Sequence, residues 1–265
     1  MEISPEYIGH LFFAHYLSRF LPVRGLDMSD IPIEFMLIVP HPDDEVFSVG
    51  GYFSHLADQE RATACLTLTR GGAGRTLGLC SQEELPAVRE AELRASWDIL
   101  GVSEQILWDY PDGALKDVDH EALARAIAQE IDRLRPRTLL TFPPNGSNGH
   151  YDHITCHRVV IAALELCDHQ PEKLFYFATE TASAGVIRDD FMPPEDVKAL
   201  HLPPTHYLDM TVYIERKIRA MGQYETQARS VLAFMRKLPR KLLHESFHQA
   251  RPSYPDQGPM TVNRL

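Results

Sequence analysis

Short apolar runs alternate with longer amphipathic stretches along this chain, a pattern that predicts a mostly parallel sheet covered by helices on both faces. Residues 35–39, 62–69, 105–110, 138–142, 173–179 and 207–211 read as strands. Residues 46–58, 83–100, about 119–134 and 153–166 carry apolar positions at helical spacing, and a further helix follows Arg216. Gly101 stands where a left-handed residue would end the second helix. The pattern therefore predicts one Rossmann-like α/β domain over residues 35–230. A helical extension with a stripe of Ile8, Leu11, Phe12, Tyr16, Leu17, Phe20 and Leu21 occupies residues 1–34, and a Pro-containing tail at 231–265 is expected to wrap the domain. In the common strand order 3-2-1-4-5, the ends of the first and fourth strands emerge side by side where the winding reverses, the usual place for a ligand.

A chain of 265 residues that is 44% hydrophobic can bury one sizeable core. Its formal charge of -11 leaves no basic stripe for a phosphate backbone, so nucleic acid is not expected as a partner. Cys65, Cys80, Cys156 and Cys167 show no CxxC pairing and read as buried, reduced thiols of a cytoplasmic protein. The N-terminal apolar run is broken by His10 and His15 and has no basic leader, which predicts neither a secretory signal nor a spanning helix.

Chemistry concentrates in two stretches, Pro-His-Pro-Asp-Asp-Glu at 40–45 and His-Tyr-Asp-His at 150–153, each following a predicted strand. Either alone could be a turn and a helix cap, since Asp and Pro favour helix starts. Together at one sheet edge they read as a site. His41 and Asp44, three residues apart across a strand-to-helix turn, can face one metal ion, and His153 supplies a third ligand. Two histidines and a carboxylate with an open position form the ligand set of hydrolytic zinc, and Fe(II) also accepts it. Asp43 is expected to point away from the metal as general base. His150 is expected to donate to an oxyanion when protonated, with Asp152 orienting and favouring the imidazolium. His157, one turn beyond His153, is a rival ligand. The Gly-rich loop at 70–75 is expected to border the same crevice, without a phosphate-cradle motif.

These two motifs resemble those of the LmbE-like, or PIG-L, family of metal-dependent N-deacetylases acting on N-acetylglucosamine-bearing substrates. The similarity extends over roughly residues 35–230, through Thr69-Arg70-Gly71, residues 89–93, Leu100-Gly101, residues 110–113, Lys217 and residues 224–227. The resemblance implies zinc held by His41, Asp44 and His153, with Asp43 as base and His150 and Asp152 serving the oxyanion and leaving amine. It further implies that Arg89 and Asp112 hold sugar hydroxyls. Many members have Glu after Thr-Arg-Gly, where this chain has Gly72. The implied activity is removal of acetate from an N-acetylglucosamine conjugate of undetermined aglycone, and family members often form homo-oligomers. The alternatives are hydrolysis of another amide, such as a thiol conjugate, and a non-catalytic carbohydrate-binding homologue.

Overall fold

The computed structural model of the protein describes residues 32–183, 185–255 and 258–265, so the apolar stripe at residues 8–21 lies outside the described part. In chain order the elements are β1 (Phe35–Val39), α1 (Asp44–Asp58), β2 (Thr63–Thr69), α2 (Leu85–Leu100), β3 (Glu104–Tyr110), α3 (His120–Leu134), β4 (Thr138–Thr141) and α4 (Tyr151–Leu166). They continue with β5 (Lys173–Phe177), α5 (Pro194–Ala199), β6 (His206–Asp209), α6 (Ile214–Met221), α7 (Ala228–Lys237), β7 (His244–Arg251) and β8 (Met260–Val262).

Local chemistry sets the helix boundaries. The Asp119 carboxylate accepts from the Glu121 and Ala122 amides at 3.0 Å and caps α3. Gly101 ends α2 at φ 80°, as its position predicts, with its amide on the Trp97 carbonyl.

Among the described residues the sheet has eight strands in the order β3-β2-β1-β4-β5-β7-β6-β8. The first five are parallel and follow the expected winding. Within residues 231–265, β7 inserts antiparallel between β5 and β6, and β8 lies parallel beyond β6. Alternate residues of β1 face opposite layers, because a strand turns its side chains with a period of two. Phe35, Leu37 and Val39 pack with α1, α2 and α6, around Tyr52, Trp97 and Met221. Met36 and Ile38 pack with α3 and α4, around Ile127 and Val160. Each of these fully buried large side chains contributes about 1.5–3 kcal/mol, and the two layers hold β1 and β4 rigidly in the middle of the sheet.

Helix α1 is broken at Val49 (φ -139°, ψ 16°). The freed amides of Gly51 and Tyr52 donate to the Glu245 carboxylate of β7, at 2.8 and 2.9 Å. Glu245 in turn accepts from Lys217 Nζ at 2.7 Å, and this ion pair is fully buried. The kink thus has a cause: a side-chain carboxylate inserts into the helical ladder.

Candidate active site

The ends of β1 and β4 bring the two motifs together as the winding predicts. His41, His150 and His153 form a triangle of rings with centroid distances of 5.2, 5.2 and 5.1 Å. His41 Nδ1 lies 3.3 Å from His153 Nε2 and 3.4 Å from the Asp44 carboxylate, and His153 Nε2 lies 3.6 Å from Asp44.

The tautomers follow from what the far ring nitrogens do. His153 Nδ1 is 3.0 Å from the Gly146 carbonyl, so that nitrogen carries the proton and Nε2 presents a lone pair. His41 Nε2 is 3.1 Å from both Asp112 and Asp152, so its proton sits there and Nδ1 presents a lone pair. With both rings in these neutral tautomers, two lone pairs and a carboxylate oxygen face one gap. That arrangement repels itself unless a cation sits between. Ligand atoms held tetrahedrally at about 2.0–2.2 Å from zinc lie roughly 3.3–3.6 Å apart, which is the spacing found here. His41, Asp44 and His153 fit a metal ion in number, type and spacing.

A proton on His41 can take the place of a metal cation in this gap. Burial alone would lower the His41 pKa, but hydrogen bonds to Asp112, Asp152 and Asp44 overturn this and raise it well above the ordinary value. The pocket favours positive charge. Burial pushes His153 down to about 4, keeping it neutral as a metal ligand must be.

Asp152 is placed differently from its expected partnership with His150. Its carboxylate accepts from the Gly113 and Leu115 amides at 2.7 and 3.0 Å and holds His41. His150 caps α4 instead, its Nδ1 accepting from the Asp152 amide at 3.2 Å. Burial and the His41 ring lower the His150 pKa, so the neutral ring carries its proton on Nε2. The imidazolium expected from the sequence is not the favoured form.

Asp43 begins α1 in the left-handed region at φ 99°. Its amide donates to Glu45 Oε2 at 3.1 Å, and its carboxyl lies 3.5 Å from Arg89 Nη2. Burial raises its pKa, against the pull of Arg89. The Arg89 guanidinium is buried, donating to the Pro42 and Gly71 carbonyls. A side chain at Gly71, where φ is 68°, would collide with it at 2.2 Å. Arg89 therefore braces the first motif from below. Asp112 accepts from the Ala73 amide at 2.8 Å with one oxygen and faces His41 with the other. Burial would raise its pKa, but His41 and the Ala73 amide hold it down at about 2. Both residues expected to hold sugar hydroxyls are thus engaged within the protein. His157 bonds the Phe142 carbonyl at 2.9 Å, away from the three facing donors.

Other contributors were not assigned from sequence. Glu45 is fully buried, accepting from Ser96 Oγ at 2.8 Å and Tyr224 OH at 2.5 Å. Phe142 stacks on His153 at 4.0 Å, and Phe191 meets His150 edge-on at 5.0 Å. Glu45 and Phe142 sat within recognised elements; Phe191 sits in a polar loop that carries no signal.

Fold and site together define a doubly wound α/β protein with a two-histidine, one-carboxylate centre at the switch point of its sheet. The profile of the PIG-L family, described as GlcNAc-PI de-N-acetylase, matches residues 36–164. A probable N-acetyl-alpha-D-glucosaminyl L-malate deacetylase 2 of Bacillus anthracis is 30% identical over 195 residues, covering 72% of this chain and 80% of that protein. A 1D-myo-inositol 2-acetamido-2-deoxy-alpha-D-glucopyranoside deacetylase of Nakamurella multipartita is 29% identical over 205 residues, 67% of each chain. The chain belongs to the PIG-L, or LmbE-like, family. The fold alone does not fix a reaction: 4-carboxy-2-hydroxymuconate hydratase of Pseudomonas putida shares it, with TM-score 0.64 at 19% identity over 84% of this chain and 98% of that one. Among the described residues no helix is long and apolar enough to cross a membrane.

Proposed function

We propose that this chain is a zinc-dependent amide hydrolase that removes acetate from an N-acetylglucosamine conjugate. The observation that carries the reading is the gap between His41 Nδ1, His153 Nε2 and the Asp44 carboxylate, beside a buried Asp43 and a neutral His150. Family membership supports the same chemistry.

His41, Asp44 and His153 would hold a zinc ion, which would supply a Lewis acid for the acetamide carbonyl and lower the pKa of a water to about 7. Asp43, whose ionised form a cation in the neighbouring gap would favour, takes the proton of the water that attacks the acetamide carbon. The neutral His150, with its proton on Nε2, is the donor available to the negative charge that develops on the carbonyl oxygen, and each such donor is worth about 2.7–4 kcal/mol in the transition state. The Asp43 carboxyl then returns its proton to the nitrogen as the C–N bond breaks, leaving acetate and a free amine. Asp152 and Asp112 keep His41 in the tautomer that exposes Nδ1, and Arg89 holds the loop beneath Asp43. Fe(II) accepts the same three ligands.

The test couples metal content with acetate release from a panel of N-acetylglucosamine conjugates. Asp43→Asn is expected to keep one equivalent of metal and lose most turnover, and His41→Ala to lose the metal. Full metal content in His41→Ala, or undiminished turnover in Asp43→Asn, would refute the assignment.

A further inference from the structure

A cavity of about 1080 Å³ opens beside the candidate active site, lined by Asn148 from the loop that leads into His150, by residues following β5, and by the segment joining α7 to β7. Asn148 links the two directly, because its side-chain oxygen accepts from the His150 amide at 3.0 Å. Since β7 runs antiparallel to β5, its first residues lie at the carboxyl end of β5, the same sheet edge as the ends of β1 and β4. From the β1–β4 junction to the β5–β7 junction is two strand spacings, about 10 Å. That is the reach of a conjugate whose sugar sits at the catalytic centre and whose second moiety lies in the cavity.

The charge of this wall runs against that of the chain. The sequence totals -11, yet the cavity is lined by Lys237, Arg240, Lys241 and His244 against one acid, Glu180. The nearby Glu245 carboxylate is already matched by the Lys217 ammonium and offers the wall no compensation. Lys241 Nζ has the Ala178 carbonyl as partner at 2.7 Å, and burial together with Lys217 pushes its pKa down to about 8. A cavity wall with excess cations and a poorly compensated ammonium recruits an anion.

We infer that this cavity binds the second moiety of the substrate and selects one that carries an anionic group, a carboxylate or a phosphate. The inference rests on the deacetylase reading for what occupies the neighbouring centre, while the cation excess stands independently of it. Lys237 and Arg240 are exposed, and reversing them leaves the core untouched.

Three probes share the sugar and differ in the second moiety: N-acetylglucosaminyl inositol is neutral, N-acetylglucosaminyl malate carries carboxylates, and N-acetylglucosaminyl inositol phosphate carries a phosphate. The expected result is a kcat/KM ratio, anionic over neutral, of about tenfold or more for the unaltered protein, falling about tenfold in Lys237→Glu/Arg240→Glu through KM. Added salt should erode the same ratio, because these cations are exposed. The malate and phosphate arms identify which anion is selected. A ratio near one, or a ratio untouched by both charge reversal and salt, would overturn the inference. If no probe is turned over, the deacetylase reading fails separately, and calorimetric binding of the three probes then decides. Anion preference abolished by the double reversal supports the cavity assignment, and equal binding of all three overturns it.

Discussion

Tyr224→Phe removes one hydroxyl from a site that has no other place to find a donor. Tyr224 is 1% exposed, and its hydroxyl donates to Glu45 Oε1, whose other partner among the described residues is Ser96 Oγ. Phenylalanine fills the same space, so no cavity opens and the loss is that of one hydrogen bond to a buried carboxylate. Such bonds contribute about 1.5–3 kcal/mol. For a domain of this size the melting temperature should fall by roughly 3–12 °C. Part of the loss reaches catalysis, because Glu45 Oε2 accepts the Asp43 amide and holds that residue at φ 99°. If about 1.4 kcal/mol of it appears in the transition state, kcat falls about tenfold while KM changes little. Ser96→Ala removes the other donor to the same oxygen, and the double variant should show a coupling of about 0.5–3 kcal/mol. Thermal melts and acetate-release kinetics on the four proteins of the cycle are the assay. An unshifted melting temperature with unchanged kcat, or strict additivity, would refute the claim that Glu45 transmits the Tyr224 bond to Asp43.

Asp152→Asn replaces an acceptor on His41 Nε2 and on the Gly113 and Leu115 amides. Zinc affinity, read by competition with a fluorescent chelator, should drop by about 10–100-fold, and an unchanged affinity would show that Asp112 alone orients His41. His206 is buried in β6, and burial lowers its pKa from 6.5 to about 4. A base whose folded pKa is depressed contributes stability that is complete above pH 6.5 and lost as pH falls toward 4. Denaturant melts of His206→Gln should therefore lose stability less steeply than the parent between pH 6.5 and 4; parallel acid limbs would count against it.

The parallel half of the sheet was legible because its strands are continuous apolar runs and its helices are periodic. Periodicity located the strands, and the common strand order 3-2-1-4-5 then placed the ends of β1 and β4 together. Strand β7 was not legible, since its buried positions include Glu245 and Ser246, and no local pattern announces that a buried carboxylate will be matched by Lys217. At the site, residue types and spacing indicated which groups meet. They did not indicate which carboxylate serves which imidazole, because Asp152 turns toward His41 only through the Gly113 and Leu115 amides, contributed by a different loop. Nothing in the helical spacing around Arg89 announces that the Gly71 turn folds over it and buries its guanidinium.

The bond from Glu245 to the broken turn of α1 spans 194 residues. During synthesis the first motif leaves the ribosome long before this carboxylate exists. Loop closure on that scale is slow, and β7 must thread between two strands already made. A chain released before residue 245 would carry both histidine motifs yet lack the carboxylate that pairs the broken turn of α1.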